Sequence, residues 1–234
     1  MLYKTVPVSN VTRLTQAFGR LQKMPQGAPR IGLVHGRSGA GKTTGITWLA
    51  VGQNGVFVTA SPQWTSSTML KAIVRELGLD MVGSNQDLLD RIVGSLQSSR
   101  RPIFIDEADF LMSSAKLLET LRWIHDMANV PLLMVGMEKI ARKVSAREQL
   151  ARRVAEEIQF DPMEMTDARQ VADTLVGLRI EDDLLTSLHD AAKGGIGRLC
   201  VGLGAIEHYG MSRGYSSIDL PTWKTSNRRF FLEK

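Results

Sequence analysis

Eight consecutive residues carry the clearest chemistry in the chain: Gly36-Arg37-Ser38-Gly39-Ala40-Gly41-Lys42-Thr43, followed by Thr44. The spacing is G-x-x-x-x-G-K-[ST]. Glycines at these places let successive backbone N–H groups turn inward around phosphate oxygens. A helix that starts at the lysine aims its positive end at the same oxygens. Lys42 then brings a point charge to the β and γ phosphates, and the Thr43 hydroxyl completes a Mg²⁺ shell. The residues predict a bound nucleoside triphosphate, ATP, with its Mg²⁺.

A second run, Ile103-Phe104-Ile105-Asp106-Glu107, ends an apolar stretch in two acids. A carboxylate at the C-terminal end of such a strand stands in the crevice where ligands bind in open α/β sheets. That assigns Asp106 to the Mg²⁺, directly or through water. Glu107 is the group to orient and deprotonate an attacking water. Two acids at a strand end are commonplace alone. Downstream of the phosphate loop they predict hydrolysis.

These groups need a scaffold, and the pattern supplies one. Ile31 to His35 reads as a strand, then the glycine-rich turn, then a helix through Ala50. Val56 to Ala60 is a second strand. Met69, Leu70, Ile73, Val74 and Leu77 recur at helical spacing, with Gly78 as a C-terminal cap. Ser84 caps a helix carrying Leu88, Leu89, Ile92, Val93 and Leu96. Pro102 to Ile105 is a third strand, a helix carries Leu117, Leu118, Leu121 and Ile124, and Pro131 to Val135 is a fourth strand. Strands alternating with helices predict a parallel sheet sandwiched by helices. After Pro162 the strand signal stops. Ala168 to Leu178, Asp183 to Ala192 and Ile196 to Tyr209 read as helices. The expected organisation is a core at 1–161, a small all-helical lid at 162–210 and a tail at 211–234. Residues 1–30 read as a lead-in arm ending in a loop from Met24 to Pro29.

Composition sets the surroundings. Of 234 residues, 43% are hydrophobic and 23% charged, as in an ordinary globular protein. The net charge of +5 and the pI near 9.5 favour a polyanionic partner. The single cysteine, Cys200, reads as a small buried hydrophobe and allows no disulfide within the chain. No stretch approaches the roughly 18 apolar residues of a membrane span, and no hydrophobic signal core opens the chain. A cytoplasmic protein with no membrane partner is expected.

The phosphate loop, the acids and the helical segment together resemble the AAA+ ATPases, P-loop NTPases with a helical lid. Three stretches carry the likeness: GRSGAGKTT from Gly36, IDEADFL from Ile105 and KGGIGRL from Lys193. Within that superfamily the chain is similar to transposition protein B of Mu-like phages. The transposon regulator TnsC and the ExeA-like ATPases are more distant. The similarity covers roughly residues 30 to 210. It implies that an arginine from a neighbouring subunit reaches the γ-phosphate. Arg153 in Ala151-Arg152-Arg153-Val154 aligns with that arginine, with Arg152 the other candidate. It also implies that Arg198, in Gly194-Gly195-Ile196-Gly197-Arg198, couples nucleotide to lid position.

Two departures stand out. The family carries a polar residue, often Asn, just after the fourth strand, where this chain has Met137. A thioether is a poor hydrogen-bonding group. Glu138 or Lys139 substitutes, or turnover is slow. The Mu protein also has a helix-turn-helix domain ahead of its ATPase, for which this chain shows no room. DNA contact is therefore expected from Lys71 and Arg75 on the helix after the second strand, Arg100 and Arg101 before the third, and Lys139, Arg142 and Lys143 after the fourth. Contacts of that kind bind duplex DNA without regard to sequence. Trp64 reads as a half-buried or stacking residue.

The resemblance thus implies an ATP-dependent, non-specific DNA-binding ATPase with slow, partner-stimulated turnover. It would assemble with copies of itself into an oligomer or helical filament on target DNA and recruit or activate a transposase. A helicase loader or initiator of the same superfamily is the alternative.

Overall fold

The computed structural model describes residues 4–25 and 27–231. Gln26, within the expected loop, and the ends of the expected arm and tail lie outside the described residues. The chain falls into two compact units. One comprises Arg13–Gly36 and Lys42–Gln159. The other holds the chain up to Thr12, the loop Arg37–Gly41, and everything from Phe160 onward.

The elements run α1 (Ser9–Lys23), β1 (Ile31–Gly36), α2 (Lys42–Gly52), β2 (Val56–Thr59), α3 (Ser66–Glu76), α4 (Asn85–Ser99) and β3 (Ile103–Asp106). A 3₁₀ turn at Ala108–Ser113 follows, then α5 (Ala115–Ala128), β4 (Leu132–Met137), α6 (Ile140–Ser145), α7 (Glu148–Ala151) and β5 (Val154–Phe160). After these come α8 (Met165–Leu175), β6 (Arg179–Ile180), α9 (Asp182–Ala192), α10 (Ile196–Ser212), β7 (Ser217–Ile218) and α11 (Leu220–Thr225).

In the larger unit five strands lie in the order β2-β3-β4-β1-β5. β1 runs parallel to β4 with Ile31 opposite Leu132, β4 parallel to β3, and β3 parallel to β2 with Asp106 opposite Thr59. All six residues of β1 are buried, His35 included, which fits a strand covered on both faces and its apolar start Ile31–Val34. On one face Met69, Leu70, Ile73, Leu88, Ile92, Leu121 and Ile124 pack against Ile31, Leu33, Ile103 and Ile105. Capping decides where these helices begin. Thr65 and Ser84 each form a reciprocal capping box with the residue three places on, starting α3 and α4. Trp64 is half-buried against this core.

In the larger unit two elements differ from the sequence expectations. The lead-in arm contains α1, whose Leu14, Ala17, Phe18 and Leu21 are at most 1% exposed. The Phe18 ring lies 5.6 Å from that of Phe104 on β3, and a Cβ at Gly32 would come within 2.9 Å of Leu21 Cδ1. α1 is thus packed directly on the sheet. β5 is a strand that the sequence pattern does not announce. Its sequence, VAEEIQF, puts Glu156 on the apolar phase, which breaks the alternation. Arg20 of α1 satisfies that acid through a two-armed contact at 2.7 Å, and this hydrogen bond holds the Glu156 carboxyl below the usual carboxylate range.

The smaller unit has its own core. Val6, Val8, Val11, Ala168, Val171, Leu184, Leu188, Leu199, Leu203 and Ile206 are among its buried residues. Asp167, buried in the first turn of α8, accepts the Ser9 backbone N–H at 3.0 Å and its hydroxyl at 2.9 Å. The strand signal does not stop at Pro162: β6 and β7 pair in parallel. Two residues are too few to show a period of two. Residues 211–231 join the same core, since Ile218, Trp223, Phe230 and Phe231 all pack into it. Cys200 is half-buried there, and burial pushes its thiol up. No helix among the described residues is long and apolar enough to cross a membrane.

Candidate active site

The phosphate loop leaves β1 at Gly36 and enters α2 at Lys42. Gly41 has φ +85°, a left-handed conformation, and a Cβ there would meet Ile196 Cγ2 at 2.8 Å. Lys42 is 9% exposed and its Nζ donates to the Gly36 carbonyl at 2.8 Å. Burial pushes its pKa below the ordinary lysine value, and the negative charges of Asp106, Glu107 and Asp109 oppose that shift. The lysine that ends the glycine-rich loop and the acids that follow β3 thus lie within electrostatic reach of one another. Thr43 and Thr44 are exposed in the first turn of α2.

Asp106 closes β3 and is 5% exposed; its Oδ1 accepts the Glu107 N–H at 2.9 Å. Glu107 is exposed and held at φ 53° and ψ 35°. A left-handed residue other than glycine costs roughly 1–2 kcal/mol. Such strain persists where the surroundings over-determine it, as at active sites. Mg²⁺ takes few protein ligands, keeps several waters and relies on substrate phosphates. The Thr43 hydroxyl and the Asp106 carboxylate fit that demand. No cluster of three His, Cys, Asp or Glu side chains forms a dedicated metal cage among the described residues.

At the end of β4 a carboxylate stands beside Met137. Met137 is 40% exposed, and its backbone N–H donates to Asp109 Oδ2 at 2.6 Å. Lys143 Nζ lies 3.3 Å from Asp109 Oδ1. The polar group beside this strand end is therefore a carboxylate from the turn after β3. In the sequence, the mark of this carboxylate is its place three residues after Asp106 in IDEADFL.

In the smaller unit, loop residues Arg37, Ser38, Gly39 and Ala40 line a cavity of about 290 Å³ with Pro162, Lys193–Gly195 and Arg198. Its volume is near the lower end for ligand pockets, ~300 Å³. The Gly197 N–H donates to the Gly39 carbonyl at 3.4 Å. Arg198 projects from the first turn of α10 and is exposed.

The remaining candidates scatter. Arg153 grips Asp126, with Nε at 3.0 and 3.1 Å from the two carboxylate oxygens and Nη2 at 2.9 Å; Nη1 donates to the Gln149 carbonyl at 3.1 Å. The side chain of Arg152 is 80% exposed and lies 3.5 Å from Glu148. The seven basic residues expected to meet DNA do not form one surface. Arg100 and Arg101 precede β3, whereas Lys139, Arg142 and Lys143 follow β4. Because these strands are parallel, the two groups stand at opposite ends of the sheet. Arg101 is also occupied, donating to the carbonyls of Asn54 at 2.7 Å, Gly55 at 3.3 Å and Glu76 at 3.4 Å. Lys143 is held by Asp109. Lys71 and Arg75 on α3, with Arg100, Lys139 and Arg142, are exposed.

A family model described as an AAA domain matches residues 26–144, just over half of the chain. No curated protein matches. Solved structures do. The ORC2 protein of Aeropyrum pernix, in ADPNP and ADP complexes, gives a TM-score of 0.69 at 18% identity, covering 93% of this chain and 68% of that one. CDC6P from Pyrobaculum aerophilum gives 0.67 at 16%, covering 93% and 66%. The ORC1 protein of Aeropyrum pernix in complex with DNA gives 0.63 at 18%, covering 94% and 64%. At such identities the likeness is one of fold, and the chain spans about two thirds of each of these proteins.

Proposed function

The chain belongs to the AAA domain family, and we propose that it is an ATP-hydrolysing switch of the initiator or helicase-loader kind, acting on duplex DNA as an assembly of its own copies. The observation that carries the ATP-hydrolysing part of this reading is the site itself. A buried, charge-compensated Lys42 follows one strand of a parallel sheet, and a buried Asp106 with a left-handed Glu107 closes another. The loop N–H groups and Lys42 bind the phosphates. Thr43 and Asp106 would hold Mg²⁺, which would supply charge neutralisation on the transferring phosphoryl group. Glu107 orients a water against the γ-phosphorus and takes its proton as the P–O bond to ADP breaks. Arg153 of a neighbouring copy stabilises the charge that develops on the γ-oxygens, and Arg198 reports the nucleotide to α10. ATP then welds one copy to the next.

The initiator reading draws on likeness to proteins whose structures are described as an ADPNP-ADP complex and a DNA complex. A second reading, capture of target DNA for a transposase, draws on the stretches GRSGAGKTT, IDEADFL and KGGIGRL.

The test is electron microscopy and filter binding on duplex DNA with an ATP analogue, with ADP and with neither. Ordered rings or filaments with DNA and analogue together, and weaker, more salt-sensitive binding in ADP, are expected. A monomer under every condition refutes the assembly. Pull-down against a helicase and against a transposase then separates the two readings.

A further inference from the structure

The tail of this chain is built around a ring that faces Arg198. The Arg198 guanidinium carbon lies 4.4 Å from the centre of the Phe231 ring. That distance is well inside the range over which a cation is drawn to an aromatic face. Phe231 does not reach this place by chance of a loose end. Asp219 caps α11 by accepting the Thr222 N–H at 2.9 Å, and Trp223 in that helix is 3% exposed. The Trp223 ring meets Tyr209 edge-on at 5.8 Å, and Phe230 stacks on Trp223 at 5.4 Å with the planes 4° apart. The Ser226 hydroxyl accepts the Arg228 N–H at 3.1 Å and turns the chain after the helix. With Phe230 anchored in this way, the next residue presents its half-buried ring to the guanidinium.

An exposed arginine samples many rotamers, and a flat partner removes most of them, because guanidinium and ring stack face to face. Arg198 also lines the cavity formed with loop residues Arg37–Ala40. We propose that Phe231 is a positioning residue, which holds the Arg198 guanidinium at the phosphate-loop cavity and so makes nucleotide affinity depend on the docked tail. The proposal rests on the reading of Arg198 as a nucleotide-sensing group. It adds that a segment beyond the lid helices tunes that group, and that tail release weakens ATP binding.

The experiment uses the full chain and a non-hydrolysable ATP analogue, with affinity read by calorimetry and folding by melting without nucleotide. Phe231→Leu keeps apolar bulk and loses the aromatic face. It is expected to weaken analogue binding about two- to fivefold, the range set by an exposed cation–π contact. Phe231→Trp presents a stronger face and is expected to bind as tightly as the parent or tighter. Arg198→Ala is expected to weaken binding at least as much as Phe231→Leu, and the double variant to be no weaker than Arg198→Ala alone, since the two act as one unit. Leu and Trp variants that both bind like the parent, beside a weakened Arg198→Ala, overturn the positioning role; so does full additivity in the double variant. Parental affinity in Arg198→Ala removes the reading of Arg198 itself, and that arm does not involve Phe231. Should the Leu variant melt early, the Trp variant and the additivity test still decide.

Discussion

We expect Arg153→Ala to stop turnover in the assembled protein while leaving nucleotide binding intact. An arginine that stabilises a transferring phosphoryl group from a neighbouring copy contributes about 10³–10⁵ in kcat, which is roughly 4–7 kcal/mol at 1.36 kcal/mol per decade. Within its own chain Arg153 is tied to Asp126 by contacts at 2.9–3.1 Å. The two side chains are 31% and 37% exposed, so solvent screens the pair. Such a pair is worth about 0.2–1 kcal/mol. Releasing it costs at most about fivefold, far less than the gain on reaching a neighbour's phosphate. If Arg153 has the proposed role, the tether should moderate it without disabling it. Asp126→Ala should raise DNA-stimulated kcat by up to about fivefold. Arg152, 80% exposed and only 3.5 Å from an 85% exposed Glu148, should tolerate alanine within about twofold. The assay is steady-state phosphate release at saturating ATP with duplex DNA. A mixture of Arg153→Ala and Glu107→Gln proteins should regain turnover, because each copy supplies what the other lacks. Full activity in Arg153→Ala, loss in Arg152→Ala instead, or a dead mixture refutes the reasoning.

Glu107→Gln should keep ATP affinity and lose about 10²–10⁴ in kcat, the range for a general base; binding and single-turnover measurements separate the two. For Lys42 the pH dependence has a definite sign. Burial lowers its pKa in the free protein, and a bound triphosphate raises it by favouring the charged form. Binding therefore takes up a proton between those two values, and affinity falls as pH rises through the lower one, earlier than for an ordinary lysine at about 10.4. Calorimetry in buffers of different ionisation enthalpy should show that uptake, and proton release would contradict it. Gly41→Ala must accept φ +85° and a 2.8 Å approach to Ile196, which costs at least about 1–2 kcal/mol; nucleotide affinity and melting should both fall. Phe18→Ala removes a 1% exposed ring from the sheet face and should cost about 3–5 kcal/mol in urea unfolding. A smaller loss would mean that α1 is a dispensable arm.

The local parts of the site were legible because local rules produce them. Gly36 to Thr43 specify a turn and a helix start by residue type alone, and Ile103 to Glu107 specify a strand ending in acids. Thr65 and Ser84 announced nothing by themselves, yet Ser84 before an apolar repeat placed α4 correctly. Where two distant segments had to meet, the sequence was silent. Glu156 interrupts the alternation of β5 until Arg20 is brought against it. Asp109 gains meaning only when β3 and β4 lie side by side and the Met137 N–H reaches it. Arg100 and Lys139 look like one basic set along the chain, and parallel pairing sends them to opposite ends of the sheet. The residues by themselves determined a glycine-rich turn running into a helix at Lys42 and a strand ending in Asp106 and Glu107, since those depend on neighbours in the chain. Packing alone decided which arginines are tied, which carboxylate stands beside Met137 and which ring faces Arg198, because those contacts join residues whose separation only the fold removes.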